Sequence, residues 1–186
     1  MAEQDIVDRL TDDHNEIRSL FGELDTTPTE QRGDLFRHIV SELARHEAAE
    51  EAVVHSATRD DIPGGEQIAN AVLEEEDQAE RLMAEMEEID PTSQEFLTRF
   101  RQLRDDVLAH AEHEEAEEFP RLREHLDADR RVQMADGFER LKGLAPTHPH
   151  PHTPQDPKVR AAVGPIAGIF DRARDAARDV FSSSQT

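Results

Sequence analysis

The 186-residue sequence contains no cysteine, no tyrosine and no tryptophan. The absence of cysteine excludes disulfides, zinc ribbons and thiol chemistry, so any bound metal must be held by His, Asp or Glu. Tyrosine and tryptophan are the usual aromatic relays for electron transfer. Their absence disfavours an oxidase that works by radical chemistry.

Basic residues are also scarce, with 21 Lys and Arg against 43 Asp and Glu, for a formal net charge of −22. Such an excess of negative charge repels phosphate backbones and anionic lipid headgroups. We therefore expect neither a nucleic-acid partner nor a membrane partner. Cations are the ligands that this charge favours.

Long apolar runs are missing too, and no segment approaches the length needed to cross a bilayer. The N-terminal segment MAEQDIVDRL is acidic and lacks the apolar core of a signal peptide, so we expect a cytoplasmic location. The chain length fits one domain with a real core and some tail.

Apolar residues recur with the helical period from the start to about residue 142, and no alternating strand pattern is convincing. This pattern predicts an all-α fold, an antiparallel up-down four-helix bundle with a short fifth helix and an extended C-terminal tail. We place the helices at about residues 3–25, 27–57, 66–89, 91–120 and 128–142. The expected organisation is a bundle at 1–143, a Pro/His-rich linker at 144–164, and an amphipathic helix with a tail at 165–186.

Five polar residues interrupt the apolar stripes of three helices on a helical wheel: His14, His46, Glu50, His110 and Glu114. A single inward histidine is more often a satisfied core residue. Charged glutamates, however, are almost never buried unless they are paired or bound to a cation. A His-x3-Glu pair can also offer a nitrogen and a carboxylate to one centre. The pattern favours a metal-binding cluster.

Other polar residues point away from these stripes on the same wheels. We expect His38, His55 and His113 at the surface. We also expect five glutamates to be solvated surface charge: Glu47, Glu51, Glu115, Glu117 and Glu118.

An internal repeat relates the two halves of the predicted bundle. A shift of 62 overlays the apolar positions of residues 10–24 on the third helix and places His14 on Glu76. The His-x3-Glu pair at 46–50 recurs at a shift of 64. Six ligands from four helices about an approximate dyad describe a dinuclear metal centre in which two carboxylates bridge.

Three segments resemble the hemerythrin-like HHE cation-binding family: DHNEI at 13–17, HEAAEE at 46–51 and HAEHEEAEEFP at 110–120. The resemblance covers roughly residues 5–142, and GPIAGIFDRARD in the tail is similar to tails of some bacterial members. It implies that the family's metal ligands carry over to His14, His46, Glu50, His110 and Glu114.

The third helix departs from this family, which usually supplies a histidine there, because the chain reads LEEEDQAERL. We expect Glu76 to complete the ligand set, since the wheel and the repeat turn it inward, with Asp77 as the alternative. Three histidines with three carboxylates favour Mn(II), Fe(II) and Fe(III), and zinc's usual tetrahedron fits less well. We expect two iron ions, with manganese as the alternative.

The function that this site implies is that of a non-haem di-iron protein, which binds or senses O2, peroxide or nitric oxide or handles iron. Two alternatives stay open. One is a peroxide-consuming, catalase-like or oxidase enzyme at the same centre, and the other is a metal-free helical adaptor whose C-terminal helix binds a partner. HEAAE is not the HExxH of zinc peptidases, and the sequence offers no obvious nucleophile or glycine-rich phosphate loop.

Overall fold

The computed structural model describes residues 4–144, and within that range every regular element is helical. The predicted all-α fold is therefore confirmed. Apart from residue 144, the predicted linker at 144–164 and the predicted C-terminal helix and tail at 165–186 lie outside the described part of the chain. No helix between residues 4 and 144 combines the length and the apolar character that crossing a membrane needs.

The α-helices of the described range are α1 (Ile6–Glu23), α2 (Arg32–Glu50), α3 (Ser56–Asp61), α4 (Gly65–Met86), α5 (Gln94–His113), α6 (Phe119–His125) and α7 (Ala128–Lys142). A short 3-10 helix, Thr29–Gln31, leads into α2. Two π-helical turns, Glu51–His55 and Glu114–Glu118, join α2 to α3 and α5 to α6. The bundle thus consists of four rods, α1, α2–α3, α4 and α5–α6, with α7 as the short fifth helix.

The start of α1 is fixed by a capping carboxylate. Asp5 accepts hydrogen bonds from the backbone N–H groups of Val7 and Asp8 at 3.0 and 3.2 Å. A side chain in this role satisfies donors that the first helical turn leaves free. The helix therefore begins at Ile6.

The fourth rod continues past Pro120 to His125, so the predicted end near residue 120 was wrong. The reason is the π-helical turn that precedes it, in which the N–H of Phe119 bonds to the carbonyl of Glu114. Pro120 comes next, in the first turn of α6, where a residue without an N–H donor is tolerated.

The connection between α3 and α4 depends on two glycines. Gly64 has a φ of +75°, a left-handed conformation that favours glycine. A Cβ on Gly65 would lie 1.7 Å from the carbonyl oxygen of Thr58, so only hydrogen fits there. This close turn holds the end of the second rod against the start of the third.

The core is divided into two apolar clusters. One surrounds Phe21, Phe36 and Phe100, and the other surrounds Phe119 and Phe138. Between them lies a layer of buried polar residues, because each rod carries its inward polar side chains at the same height. Burying that many ionisable groups is costly unless they are paired or bound to a cation.

Candidate metal centre

All six residues expected as ligands meet in this polar layer: His14, His46, Glu50, Glu76, His110 and Glu114. Each is at most 8% exposed. They come from all four rods, since α1 carries the first, α2 the next two, α4 the fourth, and α5 with its π-helical turn the last two. Because the apolar stripes of the rods pack against one another, the polar side chains on those stripes meet in one place.

The ligand atoms fall into groups in which all atoms lie within 4.8 Å of one another. The first group is His14, His46 and Glu50, and the second is Glu50, Glu76, His110 and Glu114. Glu50 belongs to both groups. Glu114 also approaches the first group, with one oxygen 3.3 Å from His14 Nε2. Two carboxylates are therefore placed between two clusters of donors.

Asp77, the alternative to Glu76, lies outside the polar layer. It is partly exposed and pairs with Arg81 one helical turn further along α4. The structure therefore brings Glu76 and not Asp77 to the clustered donors.

His55 is completely buried, so its expected place at the surface was wrong. A regular helix turns by about 100° per residue, which places His55 opposite His46. The π-helical turn Glu51–His55 holds an extra residue and rotates His55 back toward the bundle axis. His55 joins a third group of clustered atoms, with Glu114 and Glu118.

Glu118 and Glu47 were also expected at the surface, and both are buried. Glu118 is fully buried because it ends the second π-helical turn, which rotates it inward. Glu47 is 5% exposed, next to His46 on the side that faces α4, where Glu76 is close enough to act on it electrostatically. By contrast His38 and Glu117 are exposed as expected.

In the half of the site built by α1 and α2, each histidine is oriented by an outer carboxylate. His14 Nδ1 lies 2.8 Å from Glu115, and His46 Nδ1 lies 3.4 Å from Asp13. The Nε2 atoms then face inward, with His46 Nε2 2.8 Å from Glu50. Metal-binding histidines commonly have this arrangement, because the outer carboxylate fixes the tautomer and the ring orientation.

The half built by α4 and α5 repeats the arrangement. His110 Nδ1 lies 3.1 Å from Glu75, and its Nε2 lies 3.5 Å from Glu114 and 3.9 Å from Glu76. His113 also contacts Glu75, at 2.9 Å, from a partly exposed position. The outer carboxylate in this half is therefore shared by two histidines.

The outer carboxylates of the first half are neutralised by cations. Asp13 is 1% exposed and lies 2.6 Å from the Lys142 ammonium and 2.7 Å from the Arg9 guanidinium. Glu115 lies 2.9 Å from Arg18. Lys142 is the last residue of α7, so the fifth helix reaches the polar layer through Asp13.

Two histidines at the centre hold protons strongly in the metal-free protein. Burial disfavours the charged ring, but Glu50 and Asp13 outweigh it and raise the pKa of His46 to about 10. For His110, burial is outweighed chiefly by Glu114 and Glu75, and the pKa rises to about 9. Those protons balance buried carboxylates, and a bound cation would take their place.

The pKa values of Glu50 and Glu114, the two carboxylates that lie between the donor groups, are shifted in opposite directions. Burial would raise the pKa of Glu50, but the neighbouring His46 lowers it to about 2. Burial together with the nearby negative charge of Glu50 raises the pKa of Glu114 well above its usual value. In the metal-free protein, His110 and His55 only partly offset the effects that disfavour the charged form of Glu114.

Several polar atoms of the described residues are buried here without a hydrogen bond. They include Nε2 of His14, Nε2 of His110, and both carboxylate oxygens of Glu50 and of Glu114. His46 comes close to Glu50, but the contact lacks the direction of a hydrogen bond. Unsatisfied buried donors and acceptors of this kind are costly, and a bound cation would account for them. The residues present therefore fit a metal centre.

A small cavity adjoins the centre. Its volume is about 10 Å³, near the smallest that holds one water molecule, and its walls include His14, His46 and His110 together with Ile17 and Val107. The space beside these imidazoles is apolar and admits only a very small molecule.

The sequence-family model of the hemerythrin HHE cation binding domain matches residues 5–122 of the chain. The chain is 26% identical over 172 residues to an uncharacterized hemerythrin-like protein of Schizosaccharomyces pombe, covering 91% of this chain and 85% of that protein. It is also 31% identical over 141 residues to a DNA nickase of Nostoc sp., covering 75% of this chain but only 40% of the nickase.

No solved structure matches the chain significantly. The family match covers more than half of the sequence and includes every residue of the two donor groups. The chain therefore belongs to the hemerythrin HHE cation binding domain family and is a metal-binding protein of the hemerythrin-like type.

Proposed function

We propose that the chain binds two iron ions, with manganese as the alternative metal, and that it binds or senses a small oxygen species or handles iron. The proposed ligands are His14, His46, Glu50, Glu76, His110 and Glu114. The observation that carries this proposal is the set of buried carboxylate oxygens and imidazole nitrogens without hydrogen bonds. Burying polar atoms without hydrogen bonds costs free energy in a metal-free protein.

The donor set supports iron or manganese. Carboxylates and imidazoles in nearly equal number suit Fe(II), Fe(III) and Mn(II), and Glu50 lies where it can serve two ions. When bound, iron would supply Lewis acidity and redox chemistry toward O2, peroxide or nitric oxide. The chain's own residues hold and orient the ions, and the apolar wall at Ile17 and Val107 limits what can approach.

The direct test is the metal content of the purified protein after anaerobic reconstitution with Fe(II), followed by optical spectra before and after air. We expect close to two ions per chain and a new charge-transfer absorption if the site handles oxygen species. Retained iron without such an absorption would favour iron handling. Less than a trace of metal after reconstitution would contradict the proposal.

A second candidate is a peroxide-consuming, catalase-like or oxidase enzyme at the same centre, and the cavity beside three imidazoles favours it because peroxide is small enough to approach. Oxygen evolution from peroxide by the iron-loaded protein, but not by a His14→Ala variant, would support this activity. Equal rates from both proteins would exclude the centre as its source.

The metal-free adaptor is disfavoured by the buried, unsatisfied carboxylates. If it were correct, removal of metal by a chelator would leave thermal stability unchanged, whereas a ligand that binds only the folded state must stabilise it.

The similarity to a DNA nickase does not change the proposal that nucleic acid is no partner. The shared region is less than half of the nickase, and this chain has a net charge of −22. We expect no shift of duplex DNA with metal-loaded protein in a gel. A salt-sensitive shift would contradict this.

A further inference from the structure

Among residues 4–144, four histidines are buried around the polar layer, and His55 is the one that does not belong to the expected ligand set. Its side chain is 0% exposed, at the end of the π-helical turn Glu51–His55. Turns of this type are rare and occur frequently at functional sites. The position of His55 therefore requires an explanation beyond packing.

His55 is oriented like the other three histidines. Its Nδ1 lies 3.1 Å from the carboxylate of Glu118, which also accepts a hydrogen bond of 2.5 Å from the Thr58 hydroxyl. Its Nε2 points into the polar layer. An outer carboxylate on Nδ1 with Nε2 turned inward is the usual arrangement of a metal-binding imidazole.

The inward nitrogen of His55 meets the same carboxylates that His110 meets. His55 Nε2 lies 2.9 Å from Glu76 Oε1 and 3.7 Å from Glu114 Oε1, whereas His110 Nε2 lies 3.9 and 3.5 Å from these two atoms. Ligand atoms about 2.0–2.2 Å from one ion lie about 3–4.4 Å from each other. The four nitrogen-to-oxygen distances thus lie close to this range, as expected if both imidazoles and both carboxylates bind a common ion.

The internal repeat explains why a histidine stands at this position. The shift of 64 that overlays the two His-x3-Glu pairs places His55 on Phe119. Phe119 stacks on His14, with ring centroids 5.5 Å apart, whereas His55 hydrogen-bonds to Glu76, the counterpart of His14. One half has a histidine backed by a phenylalanine, and the other has a glutamate backed by a histidine.

We propose that His55 is a metal ligand, and that it supplies to the ion held by Glu76, His110 and Glu114 the imidazole that the third rod lacks. This inference rests on the proposed function. It gives each ion two imidazoles, His14 and His46 on one side and His55 and His110 on the other. A Glu76 carboxylate on the third rod then replaces a histidine without loss of nitrogen donors.

The first test compares two Gln variants made at histidines of the same rod. His55→Gln keeps a side chain that can donate a hydrogen bond to Glu76, and His38→Gln changes an exposed residue as the control. We expect the His55 variant to hold about one iron per chain, or to bind the second iron more than about 100-fold more weakly, while the control holds two. Circular dichroism verifies that both variants are folded.

A role for His55 in positioning Glu76 alone predicts a different result, because glutamine would preserve that hydrogen bond. Two ions bound to His55→Gln with unchanged affinity would therefore overturn the inference while leaving the proposed function intact. If the natural protein itself binds no metal, both the inference about His55 and the proposed function are wrong.

A second measurement needs no variant. Protein with 15N-labelled histidine is loaded with 113Cd(II), and NMR detects scalar coupling between the metal nucleus and each nitrogen bound to it. We expect coupling to Nε2 of His14, His46, His55 and His110. Cadmium bound at the other three without coupling to His55, or a third cadmium bound at His55 and Glu118 alone, would overturn the assignment.

Discussion

The two halves of the bundle follow the same helical plan but differ in the side chains that they bring to the centre. Each half has a His-x3-Glu pair followed by a π-helical turn. In one half α1 contributes His14, with Phe119 stacked behind it, and in the other α4 contributes Glu76, with His55 behind it. If His55 is a ligand as proposed, the repeated site keeps its number of imidazole donors while the rod that carries one of them changes.

The halves also differ in how their outer carboxylates are neutralised. In the first, Asp13 and Glu115 are paired with full cations from Lys142, Arg9 and Arg18. In the second, two outer carboxylates are held by weaker partners, Glu75 by a partly exposed histidine and Glu118 by Thr58 and a buried histidine. We therefore expect two inequivalent metal positions, with more uncompensated negative charge around the second.

The largest expected effect is the loss of one central histidine from either half. His46→Ala and His110→Ala should each weaken metal binding by more than about 100-fold, because loss of a ligand costs more than the 10- to 100-fold of an outer partner. Competitive metal titration measures both. His38→Ala, at an exposed site on the same rod as His46, should have no effect. A variant that keeps both ions would contradict the assignment for its half.

The next effect is a fall in the stability of the metal-free protein as pH rises. The folded-state pKa values of His46 and His110 are about 10 and about 9, above the unfolded value of about 6.5. The folded chain therefore keeps protons that the unfolded chain releases. The stabilisation is complete below pH 6.5 and is lost as pH rises through 9 to 10.

Denaturant unfolding with a chelator present, between pH 6 and 9, measures this loss, which should be on the order of a few kcal/mol. His46→Gln and His110→Gln should each flatten the curve, since each removes a group whose pKa is raised by folding. Stability that increases over this pH range would be the opposite of what the charge arrangement requires.

A smaller effect is expected on the stability of the metal-free protein, which should change in opposite directions when Glu50 and Glu114 are replaced by Gln. Glu114→Gln should raise the stability of the metal-free protein at neutral pH, because the charged form of Glu114 is disfavoured by burial and by Glu50. Glu50→Gln should lower it, because Glu50 is stabilised as an anion by His46.

Both Gln variants should bind metal more weakly, since each carboxylate belongs to the proposed ligand set. Unfolding curves of the metal-free variants, with metal titrations of the same samples, make the comparison. Shifts of the same sign in metal-free stability would argue against the charge assignment of the two halves.

The smallest expected effect lies at the end of the fifth helix. Lys142→Met removes the ammonium from Asp13, which then holds His46 less firmly. We expect about a tenfold loss of affinity for the ion of the first half, near the lower limit for an outer partner. Lys142→Arg keeps the charge and serves as the control. Equal losses at both ions would contradict a local effect.

The sequence predicted much of the bundle and six of its buried polar residues, because apolar stripes at the helical period decide which side of a helix is buried. It failed for His55 and Glu118, since a wheel with a constant angle per residue has no π-helical turn. The one signal in the sequence was Pro120, which stands inside a continuing helix and indicates an irregular turn before it. The burial of Lys142 depends on Asp13, which no local pattern reveals.

The most direct test of the proposed dinuclear centre is low-temperature Mössbauer spectroscopy of protein reconstituted with 57Fe and oxidised. We expect two irons per chain in two inequivalent environments, coupled magnetically to each other because Glu50 and Glu114 lie between them. A single iron per chain, or two irons without coupling, would contradict a centre built jointly by the two halves of the bundle.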